Sequence, residues 1–155
     1  MIKGLVVGAV QVAMVISVGA KIALDRASLP RVWVKTAPFD PNLPIRGRYV
    51  SLSVSADARD FSSGAIYGAA RLSVEGDKLF AHPDEGGNVM VNISGAQARL
   101  SQPVDFFIPE HVPDPSRRQF GEELWVEVSV PRKGPPRPIR LGVKKDGVLT
   151  PLDLR

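Results

Sequence analysis

The chain has 155 residues, enough for one domain with an appendage, and its net charge of +4 permits contact with anionic lipid or polymer without requiring it. It contains no cysteine, which excludes disulfides, thiolate metal sites and cysteine nucleophiles, and its two histidines are too few for an ordinary zinc site. The 14 glycines and 14 prolines favour short strands joined by turns over long helices. We expect neither a metal nor another cofactor.

An apolar segment opens the chain. Between residues 4 and 20 only Gln11 and Ser17 are polar, and beyond Lys21 the apolar run continues through residues 22–24. If the Lys21 side chain reaches toward the interface, the run approaches the ~20 residues that cross a bilayer. We predict an uncleaved transmembrane anchor within residues 1–26 and a domain over residues 27–155. A cleavable signal peptide is the alternative, because residues 18–20 are as small as signal peptidase prefers.

Small residues in this segment form two rows at a spacing of four, which lets helices approach closely in lipid. Gln11, near mid-membrane, adds a side chain that can hydrogen-bond across such a contact. Small residues are common in membrane helices, so the pattern alone does not require a partner. The predicted contacts to a partner helix are Gly4, Gly8, Ala9, Gln11, Ala13 and Ser17.

Two cues disagree about the side of the membrane on which the domain lies. The basic residues are more numerous after the apolar segment than before it, which by the positive-inside rule places the domain in the cytoplasm. A very short amino-terminal tail that leads straight into the apolar run is instead the layout of an exported signal anchor. The basic residues counted are Lys3 on one side and Lys21, Arg26, Arg31 and Lys35 on the other.

Beyond residue 26 apolar and polar residues alternate, which is the period of half-buried strands. We predict a mainly β protein, with one N-terminal transmembrane helix followed by a small antiparallel β-sandwich or barrel-like domain. The strands at 124–130 and 139–143 are expected to pair as neighbours with their aliphatic faces inward. The clearest alternation is at 49–54, 89–93, 124–130 and 139–143, and weaker strands are predicted at 31–37, 65–74, 77–82 and 104–109.

Glycine-containing connectors and one long irregular stretch separate these strands. Residues 75–78 and 145–148 look like tight hairpin turns, in which glycine supplies a positive φ. Residues 110–123 form the longest irregular stretch, which favours a partner-facing loop. Candidate partner contacts on the domain are Phe107, Pro109, Glu110 and Trp125. For Tyr49, Phe106 and Phe107, ordinary core packing is the competing and favoured interpretation, because aromatic side chains dominate cores.

The stretch "APFDPNLPIRGRYVSLSV", residues 37–54, combines three prolines with a glycine just before a strand. Proline fixes φ and removes a backbone donor, so the segment favours a rigid turn that delivers the chain into the strand. A competing interpretation is that Arg46 and Arg48 bind an anion. The predicted structural turn comprises Pro38, Asp40, Pro41, Arg46, Gly47, Tyr49 and Leu52.

At these residues the chain resembles the GDYXXLXY family, small bacterial membrane-anchored proteins named after a Gly-Asp-Tyr-x-x-Leu-x-Tyr stretch. Gly47, Tyr49 and Leu52 match that stretch. Arg48 stands in place of the aspartate and Val54 in place of the last tyrosine, which weakens the idea of a chemical site shared with the family.

The resemblance extends over nearly the whole chain through short, divergent motifs. The segment "FFIPE" at 106–110 and the closing strands with their Asp-Gly hairpin within 124–152 are similar to the family pattern, as is the N-terminal span with its glutamine. The resemblance implies a single span, an exported β-rich domain at the cytoplasmic (inner) membrane and an association with polytopic membrane proteins. It implies no catalytic residue.

Three functions follow from these observations. The first is a non-enzymatic accessory protein that presents an extracytoplasmic β-domain to a membrane-protein partner. The second is a membrane-anchored serine/lysine hydrolase, disfavoured because no spacing signature joins a nucleophile to a base. The third is binding of anionic lipid or polymer through residues 131–145, which carry six basic residues and no acid. That stretch lacks the aromatics with which nucleic-acid modules stack bases, so we expect no nucleic acid as a partner and no small-molecule substrate.

Overall fold

The computed structural model describes residues 2–39, 45–46 and 49–154. The protein is mainly β with one N-terminal apolar helix, as predicted. The helix is α1 (Ile2–Ser28). The strands are β1 (Arg31–Pro38), β2 (Ile45–Arg46), β3 (Tyr49–Ala58), β4 (Tyr67–Glu75), β5 (Lys78–Pro83), β6 (Val89–Ser94), β7 (Gln97–Leu100), β8 (Val104–Phe107), β9 (Glu122–Ser129), β10 (Arg137–Lys145) and β11 (Val148–Pro151).

The stretch Val6–Leu24 of helix α1 is long and apolar enough to cross a membrane, with a mean hydropathy of 1.9, and none of it is buried. The helix ends at Ser28, two residues before Pro30, because proline disfavours helical φ and ψ in the residue that precedes it. The rows of small residues are uncovered within the chain, since a Cβ added at Gly4 or Gly8 meets nothing within 4 Å. The Ser17 hydroxyl donates to the carbonyl of Met14 at 2.8 Å.

The domain joins a closed barrel to a long open sheet. The barrel contains five strands in the order β3-β5-β4-β6-β7, and pairing of β7 with β3 closes it. The barrel-like alternative of the sequence prediction is therefore confirmed. The open sheet runs β11-β10-β9-β1-β3, and β8 pairs with β3. Strand β3 belongs to both, with residues 49–54 in the open sheet and residues 55–58 in the barrel.

The predicted pairing of 124–130 with 139–143 is confirmed, with Val126 opposite Leu141. The aliphatic face of β9 is buried, as predicted. Ile139 is an exception to the inward face predicted for β10: an irregularity between Pro138 and Arg140 shifts the register, and 37% of Ile139 is exposed.

One continuous core runs through the sheet and the barrel. On the sheet it is built from alternate residues of β1, β3 and β9, such as Val34, Leu52 and Val126. Ser51 and Ser53, which alternation places on the outer side of β3, are buried as well. The prediction of a half-buried strand is therefore wrong for β3, because side chains of the adjacent strands also cover the residues on its outer side.

The hairpin turns agree with the sequence. Gly76 has a φ of 62° between β4 and β5, and Asp146 and Gly147 have φ values of 50° and 82° between β10 and β11. Two successive positive φ angles are those of a type I′ turn, whose twist matches that of the flanking strands. Strands β2 and β7 were not predicted, because two and four residues are too short for a periodic signal.

Candidate partner-binding surface

The long sheet has one face on the core and one face away from it, which we call the outer face. Strand alternation and register place on it the following residues: Trp33, Lys35, Ala37, Tyr49, Ser51, Ser53, Asp105, Phe107, Glu123, Trp125, Glu127, Arg140, Gly142 and Lys144. Strand β1 begins at Arg31, three residues after α1, so one end of the outer face lies beside the helix and the other lies far from it.

Two aromatic side chains lie at the end of the outer face far from α1. Tyr49 on β3 is directly opposite Phe107 on β8, and their rings meet edge to face with centroids 5.7 Å apart. Tyr49 is 48% exposed and Phe107 is 55% exposed. Core packing, the favoured sequence interpretation, is therefore wrong for these two residues, whereas Phe106 does pack against the core. Alternation explains the difference, because Phe106 and Phe107 point to opposite faces of β8.

A groove of about 350 Å³ lies in the middle of the outer face, where the sheet meets the barrel. Trp33 and Trp125 line it from the sheet side, and Ser53, Asp57 and Arg99 line it from β3 and β7. The Ser53 hydroxyl is buried, with the residue 6% exposed, and it makes no hydrogen bond among the described residues. A buried polar atom without a partner costs free energy, so the Ser53 hydroxyl lowers the stability of the sheet beneath the groove without offering an accessible contact.

Charged side chains hold the two indoles against the sheet. The Trp125 indole N–H donates to the Glu123 carboxylate at 3.2 Å, and the Lys144 ammonium lies 4.7 Å from the Trp125 ring centroid. The pKa of the Glu123 carboxyl lies below its usual value. The largest cause is the hydrogen bond from the Lys35 ammonium, and the next is the hydrogen bond from the Trp125 indole.

Trp33 is positioned by a glycine and an ion pair. A Cβ added at Gly142 would come within 2.9 Å of the Trp33 ring, so glycine is what allows the ring to lie on β10. The Arg140 guanidinium lies 5.3 Å from the ring centroid and donates to the Glu127 carboxylate at 2.6 Å. Glu127 is 8% exposed, so it is on the predicted outer face but is covered by its neighbours.

The predicted turn is only partly described. Asp40, Pro41 and Gly47 lie outside the described residues. Arg46 pairs with Tyr49 across β2 and β3. Pro38 closes β1 directly opposite Leu52, which is fully buried.

The two segments that carry the family resemblance are neighbours in space. Residues 49–52 of the "GRYVSLSV" stretch pair with residues 104–107, and the last two of these, Phe106 and Phe107, begin the "FFIPE" stretch. Beyond β8, Pro109 is half-buried and Glu110 is exposed. Trp125 is on β9, with β1 between it and β3, so Phe107 and Trp125 share one sheet but the predicted domain contacts do not form one cluster.

A second arrangement was not predicted from the sequence. On the barrel, the Ser73 hydroxyl lies 3.1 Å from His82 Nε2, and His82 Nδ1 lies 3.3 Å from the Asp60 carboxylate. These are the contacts of a nucleophile, a base and an orienting acid. The Asp60 side chain is 79% exposed, however, and none of the described cavities is lined by Ser73 or His82. The three residues are spread over 22 positions of the chain, so no local motif announces them.

Comparison with family models, with curated proteins and with solved structures gives no match for this chain.

Proposed function

We propose that this chain is a non-enzymatic, single-pass membrane accessory protein that docks a membrane-protein partner on the outer face of its long sheet. The observation that carries the proposal is the Tyr49–Phe107 pair, two aromatic rings that contact each other and remain about half exposed. Aromatic residues are enriched in protein interfaces and supply much of their binding energy. The neighbouring groove, lined by Trp33, Trp125 and Arg99 among others, adds aromatic and charged side chains to the same surface.

The anchor supports the choice of partner. Helix α1 is uncovered over Val6–Leu24, so it can offer its small-residue rows to another helix in the bilayer while the domain offers its outer face. The resemblance to the GDYXXLXY family favours a cytoplasmic (inner) membrane protein with its domain on the periplasmic side, although the basic residues after the span favour the opposite orientation. Because the chain has no cysteine, a single Thr150→Cys variant labelled in intact cells with a membrane-impermeant maleimide decides the side.

Co-purification tests the docking surface. Full-length tagged protein is extracted from its native membranes in mild detergent, and the partner is identified by mass. The double variant Tyr49→Ser, Phe107→Ser should lower partner yield roughly ten-fold or more, as expected for truncating interface anchors. The matched control is Ile66→Ser, Tyr67→Ser, which removes exposed apolar surface from the barrel instead. Equal yields from the two double variants would contradict the proposal.

A serine hydrolase is a second candidate function, and the Ser73–His82–Asp60 contacts are the observation that favours it. It ranks second because the orienting carboxylate is mostly in solvent, where it stabilises an imidazolium less than a buried one does. A fluorophosphonate probe separates the two functions. Labelling of the wild type that disappears in Ser73→Ala would establish a nucleophile, whereas the accessory function predicts no labelling that depends on Ser73.

A further inference from the structure

We propose that the protein binds the headgroup of an anionic phospholipid at the junction between α1 and the long sheet. A cavity of about 420 Å³ lies there, lined by Ile22, Leu29, Arg31, Ser129, Arg137 and Ile139 among others. This site is at the opposite end of the outer face from the Tyr49–Phe107 pair, so lipid binding here does not depend on whether a protein partner docks at that pair.

The position of the cavity matches the headgroup layer. The 19 residues of Val6–Leu24 span about 28 Å as a helix, close to the ~30 Å hydrocarbon core of a bilayer. Ser28, the last residue of α1, follows four residues later, a further ~6 Å along the axis, and Leu29 comes directly after it. A helix that crosses the membrane with this stretch therefore carries Ile22 just inside the hydrocarbon boundary and Leu29 among the headgroups.

Two guanidiniums flank the cavity on one rung of the sheet. Arg31 on β1 and Arg137 on β10 both pair with Ser129 on β9, from its two sides. Neighbouring strands are ~4.8 Å apart, so the two Cα atoms are separated by about 10 Å, a span that one phosphodiester headgroup can bridge. The Ser129 hydroxyl between them donates to the Arg137 carbonyl at 3.5 Å.

The charge of Arg137 is uncompensated within the described part of the chain, where this guanidinium has no ion-pair partner. Two of the other basic residues of β10 differ in this respect. Arg140 pairs with Glu127, and Lys145 pairs with Glu122 at 3.5 Å. The basic residues of 131–145 therefore do not form a single binding patch. They are spread along β10 and the loop before it, and only those at the end beside α1 would face the membrane.

Apolar residues make the cavity suited to a lipid and not to a free phosphate. The register shift between Pro138 and Arg140 turns Ile139 outward into the cavity, beside Ile22 and Leu29. A diacyl lipid places its phosphate between the arginines and its glycerol and upper acyl carbons against these side chains. A soluble phosphate or a nucleic acid gains nothing from them.

Native mass spectrometry of the full-length protein tests the site. The protein is released from micelles containing equal amounts of phosphatidylglycerol and phosphatidylcholine, and retained lipids are counted. We expect preferential retention of phosphatidylglycerol, reduced about five-fold by Arg137→Gln and largely kept by Arg137→Lys, since a juxtamembrane basic residue contributes roughly a factor of five. Lys145→Gln, eight residues along the same strand, is the control and should change nothing.

Three results would overturn the proposal: equal retention of the two lipids by the wild type, equal loss in Arg137→Gln and Lys145→Gln, or displacement of the lipid by glycerophosphate at the same concentration. The last result would show that the phosphate alone is recognised and that the apolar wall has no part in binding.

Discussion

Gly142→Ala tests how the groove is built. The added Cβ would lie 2.9 and 3.0 Å from two atoms of the Trp33 ring and 3.1 Å from the Thr150 carbonyl oxygen, so the ring must move or β10 must separate from β11. Overpacking of this kind costs about 1–3 kcal/mol, against a gain of ~0.5–1 kcal/mol from replacing a strand glycine by alanine. We expect a net loss of about 1–2 kcal/mol.

A double-mutant cycle assigns that loss to the indole. In a Trp33→Ala background the ring is absent and only the Thr150 oxygen is close, so Gly142→Ala should become nearly neutral, with a coupling free energy of about 1 kcal/mol or more. Urea unfolding of the full-length protein in detergent, followed by circular dichroism, measures all four corners. Gly68→Ala on β4 is the control, because its Cβ meets nothing within 4 Å and the change should be neutral or stabilising. An equal cost of Gly142→Ala with and without Trp33 would refute this account of the groove.

Three further predictions concern the core, the groove and the anchor. Val128→Asp places a charge at a fully buried position and should cost about 4 kcal/mol or more, whereas Glu127→Gln keeps an acceptor for Arg140 and should cost about 1 kcal/mol; similar thermal melts for the two variants would contradict the assignment of faces. The pKa of Glu123 is lowered, so its ionised carboxylate stabilises the fold above the usual pKa of 4.5, and this stabilisation is lost as the pH falls through the lowered pKa. The Glu123→Gln variant should therefore lose less stability than the wild type as the pH is lowered. An unchanged dependence of stability on acidic pH would contradict the pairing with Lys35. Ala13→Phe should leave membrane insertion intact but weaken partner co-purification, because phenylalanine is accepted by lipid and is too large for a close helix contact; unchanged yield would show that the domain alone makes the contact.

The sequence predicts the parts of this fold that depend on periodicity and glycine chemistry. Alternation located β3, β6, β9 and β10, and the pairing of β9 with β10 followed from their proximity in the chain. The barrel closure was not predictable in the same way, because it depends on contacts between β3 and β7 some 40 residues apart, which no local pattern encodes. For the same reason the burial of Ser53 was missed: alternation gives the face of a side chain but not what covers that face.

The residues of the candidate site were also predicted only in part. Phe107 and Trp125 were candidate partner contacts from the sequence, and both are on the outer face. The exposure of Tyr49 was not expected, since its strand is otherwise the most buried of the sheet. Only the register with β8 explains it, because that register places Tyr49 at the end of the sheet opposite another exposed ring.

Site-specific photo-crosslinking at position 107 tests whether the outer face contacts a membrane protein. A benzoylphenylalanine replaces Phe107 in one variant and Phe120, a fully exposed residue in the loop before β9, in a matched control, and both are irradiated in intact native membranes. If the partner docks on the outer face, position 107 should give one discrete crosslinked membrane protein, and the Tyr49→Ser change should reduce that product. Crosslinks to the same protein with equal yield from both positions, or a product from position 120 alone, would contradict docking on the outer face.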